Sequence, residues 1–182
     1  ARLPVTDSGR LWQLAVAQMN NEAFGLDVPC HSRQTTFHAL GYAFMASDTL
    51  LSALKRVAQF GNMVSDAAHV ELLYGDTWVE VFWVPRPPPD APAEAAMEAM
   101  LSMILRSCRK IRGASFSPIE VDLFRKKPTL PEPFEDFFCC PVNFDSGCYR
   151  MRFSRSDVEV TLPWGNAELA KINDQVVEDY LS

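Results

Sequence analysis

The sequence predicts an α+β fold: one domain in which a mostly antiparallel sheet packs against several helices. Three observations predict it. Segments with apolar residues at helical spacing precede and follow the strand-like runs. Two of those runs flank Gly75-Asp76, a hairpin signal. The resulting order, α-α-α-β-β-α-β-α-β-β-α, offers few parallel β-α-β units. The 182 residues suffice for one well-filled core and are too few for two comfortable ones.

Residues 1–5 read as an extended lead-in. Asp7 or Ser8 can cap a helix to about Asn20, with Leu11, Leu14, Ala15 and Met19 inward. Phe24-Gly25-Leu26 closes that unit, and Pro29 to Thr35 reads as loop. A second helix, about 37–46, is apolar nearly all round, the pattern of a buried segment. Ser47-Asp48 offers a cap for a third, reaching about Val64. Its apolar stripe is Leu50, Leu51, Leu54, Val57, Ala58 and Phe60, while Lys55, Arg56 and Gln59 face out.

In the hairpin, Val70, Leu72 and Tyr74 share a face with Val79, Val81 and Trp83. The opposite face carries Glu71 and Glu80 beside Trp78 and Phe82. Pro85 to Pro92 contains four further prolines and makes a stiff turn. A long helix follows over about 93–111, buried through Met97, Met100, Leu101, Ile104, Leu105 and Cys108, with Gly113 in the C-cap position. Residues 118–124 alternate as a third strand. Phe134, Phe137 and Phe138 mark one face of a short helix that Pro141 ends. Val142 to Phe144 is extended, Asp145-Ser146-Gly147 turns, and Cys148–Phe153 reads as a strand. Val158–Leu162 is expected as a last short strand, and Asn166 caps a C-terminal helix.

Composition narrows the function. A net charge of −6 disfavours a non-specific nucleic-acid surface. Arg106, Arg109, Lys110 and Arg112 form a basic group, but at a helix C-terminus, where cations complement the dipole. Five irregularly spaced cysteines argue for reduced thiols and a cytoplasmic setting. No apolar run approaches the roughly 20 residues of a membrane span, and no signal peptide is visible.

His31, His38, His69 and the cysteines lack metal-binding spacing, and no nucleophile elbow or phosphate-cradling loop occurs. No metal or cofactor is expected. Glu71, Glu80, Glu120 and Asp122 fall on predicted strands. They read either as outward positions on a half-solvated sheet or, if two converge, as an acid–base pair or a cation-binding pair. Trp12, Tyr42, Trp78, Phe82, Trp83 and Phe124 are enough aromatics to line a pocket. Tyr42, His69, Glu71, Trp78, Glu80 and Trp83 are the candidate ligand-binding residues, and an amine-bearing effector would suit such an acidic, aromatic site. On the last helix Leu169, Ile172 and Val176 fall at a-d-a spacing, with Val177 and Tyr180 beside them. That is too short for a coiled coil, so packing onto its own domain is expected.

Three motifs then occur in order: Phe24-Gly25-Leu26 with Leu40-Gly41-Tyr42-Ala43-Phe44-Met45-Ala46-Ser47; Thr49-Leu50-Leu51-Ser52-Ala53-Leu54; and Phe138-Cys139-Cys140-Pro141-Val142-Asn143-Phe144. Together they resemble the N-terminal effector-binding domain of AraC/XylS-type transcription regulators, in the subgroup that includes ornithine- and arginine-responsive members. The resemblance implies that residues 1–182 form an effector-binding and dimerisation domain without enzymatic activity. Its partners would be a small-molecule effector and often a second copy. DNA would be contacted only by a helix-turn-helix domain expected after residue 182. The matching motifs are core and turn text, so no ligand-contacting residue carries over. Two other readings compete: a small hydrolase or transferase using the acidic sheet face, and a purely structural dimerisation module.

Overall fold

The structure is a computed structural model that describes residues 5–181. Eight α-helices and five strands lie among the described residues: α1 (Val5–Met19), α2 (Phe24–Asp27), α3 (His38–Ala46), α4 (Leu50–Phe60), β1 (Ala68–Tyr74), β2 (Trp78–Pro85), α5 (Glu94–Arg112), β3 (Glu120–Asp122), α6 (Glu132–Phe138), β4 (Val142–Asn143), β5 (Tyr149–Ser154), α7 (Arg155–Val158) and α8 (Ala167–Leu181). The strands form one sheet in the order β1-β2-β5-β3-β4, antiparallel except for the β3–β4 pair. The α+β expectation holds. Of the expected lead-in, residues 1–4 lie outside the described residues, and Val5 already belongs to α1.

The hairpin register pairs Val70 with Trp83 and Leu72 with Val81, so one apolar face turns inward as the alternation predicts. Against that face lie α4 and α5. From α5, Met97, Leu101, Leu105, Cys108 and Ile111 are buried; from α4, Leu50, Ala53, Leu54 and Val57. Each large apolar side chain contributes about 1.5–3 kcal/mol before entropy is charged against it. Gly113, at φ 104°, ends α5, a conformation that costs a side-chain-bearing residue more. Phe134 and Phe138 of α6 are fully buried, and Cys139 ends the helix in the left-handed region at φ 55°.

Five local expectations are corrected. In α1, Leu11, Leu14 and Met19 are more than half exposed. The helix is turned so that Trp12 anchors it, edge-on to Phe24 with ring centroids 6.2 Å apart. The cap of α4 is Thr49, not Ser47 or Asp48: Ser52 N donates to Thr49 Oγ1 at 3.0 Å and Thr49 N to Ser52 Oγ at 3.2 Å. That helix stops at Phe60, and a 3₁₀ turn covers Gly61–Met63. Arg56 does not face out: it forks onto Asp174 of α8, Nε to Oδ1 at 2.8 Å and Nη2 to Oδ2 at 3.0 Å. Finally, Val158–Leu162 is not a strand. Val158 ends the single turn of α7, and Leu162 N donates to Asp48 O at 2.8 Å, so this backbone bonds to the α3–α4 junction instead of a sheet edge.

Asn166 caps α8 as the sequence indicates, accepting from Leu169 N at 2.9 Å. The helix packs onto its own domain, but through Ala170 and Val177. Val177 joins Leu40, Phe60 and Met63, while Leu169, Ile172, Val176 and Tyr180 stay exposed.

Candidate functional site

The inner sheet face is not completely filled. Between it and the helices lies a cavity of about 100 Å³. Ala68, Val70 and Trp83 form its sheet side; Leu40, Gly41, Phe44 and Met45 of α3 and Val57 of α4 close it from above. Met100, Met103, Ile104, Ser107 and Lys110 of α5 line one wall, and Ser32 and Arg33 reach it from the loop before α3. The cause lies in α5. Its deepest stripe packs on the sheet, while Met100 and Ile104 project one step round the helix and are only partly buried. Gly61 adds space: a Cβ there would sit 3.9 Å from Val70 Cγ2, in ordinary contact with nothing displaced.

The outer face is filled by charge. Across the ladder Glu80 lies opposite Arg152, and Arg152 opposite Glu120; Asp122 lies opposite Arg150. Arg150 contacts Glu80 at 2.7 Å, Glu120 at 2.9 Å, and Asp122. Arg152 contacts Glu80 at 2.6 Å and Glu120 at 2.8 Å, with its guanidinium 5.1 Å from the Trp78 ring centroid. Asn143 Nδ2 donates to Asp122 Oδ1 at 2.8 Å. Three carboxylates thus share two guanidiniums, and each carboxylate already has a cationic partner.

The six candidate residues therefore fall in three places. Trp83, 1% exposed, lines the inner cavity. Trp78 and Glu80 belong to the outer charge cluster, and Glu71 lies beyond it on β1, paired with His69 at 3.0 Å where both side chains are exposed. Tyr42 points elsewhere, into a groove between α3 and α8 with Trp164, Leu169 and Asn173. Missed by sequence reasoning were Met103, Ser107, Lys110, Ser32 and Arg33. The available signal was the width of the α5 apolar arc: Met100, Met103 and Ile104 exceed what one stripe against a sheet needs.

Other reactive groups are committed or quiet. Burial pushes the Cys108 and Cys140 thiols up to about 12, which keeps them protonated near neutrality. All five cysteines are free thiols. Glu98 of α5 is fully buried; desolvation raises it to about 7 even though Arg125 donates to it at 2.9 Å. Among the described residues no three His, Cys, Asp or Glu side chains are grouped to hold a metal, and no helix is long and apolar enough to cross a membrane.

The family model for the arabinose-binding domain of AraC transcription regulators, N-terminal, matches residues 1–162, and the chain belongs to this family. No curated protein matches the sequence. Among solved structures, the crystal structure of the transcriptional regulator CdpR from Pseudomonas aeruginosa is similar, with a TM-score of 0.69 at 16% identity. The alignment covers 93% of this chain and 59% of that one, so the chain spans somewhat over half the length of that regulator. At this identity the likeness concerns the fold.

Proposed function

We propose that this regulatory domain of an AraC-type transcription regulator senses a small-molecule effector, and that the effector occupies the cavity behind Trp83. The observation that carries this reading is the mostly apolar space itself, open at one end and walled by Trp83 of the sheet and by α3 and α5. DNA contact belongs, in this reading, to a separate helix-turn-helix domain, and the working state is a homodimer in the cytoplasm. Occupancy has a route outward: α3 lines the cavity and packs on α8, so a ligand that favours one setting of α3 biases α8 as well.

The finer placement, among ornithine- and arginine-responsive regulators, rests on the motif text alone. A basic amino acid needs a free acceptor, and Glu80 is already shared by two arginines. Glu71, exposed beside His69, is the acidic group left for it.

The test is a thermal-shift screen of metabolites against wild type and Gly61→Leu, whose side chain would enter the cavity. Ligand at 100 times its Kd adds about 2.7 kcal/mol, a shift of a few degrees for this size. Hits lost in a Gly61→Leu protein that still melts cooperatively support the reading. Hits retained at full strength place the effector elsewhere, and a hit consumed during incubation favours an enzyme.

A further inference from the structure

The cavity has a direction. Along α5 its wall runs Met100, Ile104, Ser107, Lys110, from thioether and alkyl groups to a hydroxyl and then an ammonium. At 1.5 Å per residue this stripe is about 15 Å long. Arg33 lines the same cavity from the opposing loop. The side chains of Lys110 and Arg33 are exposed, and neither makes a hydrogen bond or ion pair among the described residues. Of the arginines on α5, Arg112 Nε also has no partner among the described residues, whereas two are engaged. Arg106 donates to Leu26 O and lies over the Phe137 ring; Arg109 donates to Phe116 O and lies over the same ring. In a chain with net charge −6, two free cations flanking one apolar opening are a local reversal of sign.

Taking the cavity as the effector site, as proposed above, we infer that it receives a small organic carboxylate: an apolar body against Trp83 and Phe44, and an anionic head between Lys110 and Arg33. The size agrees. A buried water occupies about 10–15 Å³ of such space, so a cavity of about 100 Å³ admits a body of roughly seven to ten heavy atoms. A neutral molecule would leave the two cations unused, and an amine would meet like charge. Guanidinium and ammonium together hold a carboxylate by charge-assisted hydrogen bonds, while the apolar wall selects against fully polar acids.

The experiment titrates hexanoate, hexanol, hexylamine and benzoate into wild type, Lys110→Met, Arg33→Met and Gly61→Leu, read by ligand-observed NMR and thermal shift. Both cations are exposed, so removing them leaves the core intact. The expected result is that an acid binds about tenfold tighter than hexanol, and that each charge removal weakens the acid about tenfold while moving hexanol by less than about twofold. Preference for hexanoate assigns an aliphatic body, preference for benzoate an aromatic one. Equal binding of acid and alcohol, or indifference to both charge removals, overturns the carboxylate inference and leaves the sensing cavity standing. Acid binding that survives Gly61→Leu overturns it by placing the anion elsewhere. Binding of none of the four overturns it together with the cavity reading.

Discussion

On the inner face of β2, Val79, Val81 and Trp83 are buried and Trp83 borders a space; on the outer face of the same strand, Trp78 and Glu80 meet arginines. One run of eight residues therefore supplies a dry, underfilled surface and a charged, saturated one. The difference concerns what a ligand can find on each side. Long side chains fold down over the outer face until every carboxylate is matched, whereas apolar side chains fixed by two layers of backbone cannot move in to close the inner gap. Charge on a strand is thus a poor guide to where a polar ligand binds, because the fold consumes it first.

The comparison breaks most sharply at Trp83. Trp83→Ala should cost about 3–5 kcal/mol of unfolding free energy; denaturant titration measures it. A cost below about 1 kcal/mol would mean that the inner face is not packed as described. A carboxylate on the dry side sharpens it next. Burial raises Glu98 from 4.5 to about 7 in the folded chain, so folding takes up a proton in that window. Its contribution is complete below pH 4.5 and declines as pH rises toward 7, by on the order of 2–3 kcal/mol. Glu98→Gln should remove that decline, so the wild-type and variant melting temperatures draw apart between pH 5 and pH 8, with the variant ahead at pH 8. Parallel profiles would show that Arg125 keeps the carboxylate charged.

On the charged side, where Glu80 is itself buried, Glu80→Gln should cost about 2 kcal/mol, because its two arginines keep Glu120 and Asp122. Ligand affinity should not change, and calorimetry with any cavity ligand checks that; a weakened ligand would join the two faces. The smallest effect belongs to Glu71→Gln, which removes an exposed partner of His69 and should stay within about 0.5 kcal/mol. A larger loss would show that β1 depends on its outward side chains.

Much of this contrast was readable in the sequence. Period-2 alternation assigned Val79, Val81 and Trp83 to one side and Glu80 to the other. Helical spacing placed Leu101, Leu105 and Cys108 in the core. What could not be read was the pairing of β2 with β5, because alternation gives a face and no neighbour, so the arginines opposite Glu80 stayed hidden. Hidden for the same reason were the cavity's rim residues, which come from segments far apart in the chain. Leu11 and Leu14 show the opposite failure: one aromatic anchor, Trp12, outweighed the stripe of smaller residues. Some motif residues have a plain structural role, while Leu40, Gly41, Phe44 and Met45 of the same text line the cavity. Thr49 and Ser52 are the cap of α4, and Gly25 lets α2 lie against the Ala95 carbonyl of α5, where a side chain would collide.

The β2–β5 pairing also fixes an order of events during folding. The β1–β2 hairpin closes through a local turn, but Glu80 meets Arg150 only after a segment of 70 residues has been brought round. Closing so long a loop is slow, and charge pairs between side chains gain full strength only once the strands are in register. The outer charge cluster should therefore act as a latch on the finished sheet, slowing its opening more than it speeds its assembly. In stopped-flow kinetics Glu80→Gln should raise the unfolding arm and leave the folding arm nearly in place. A slowed folding arm would put those arginines in the nucleus instead.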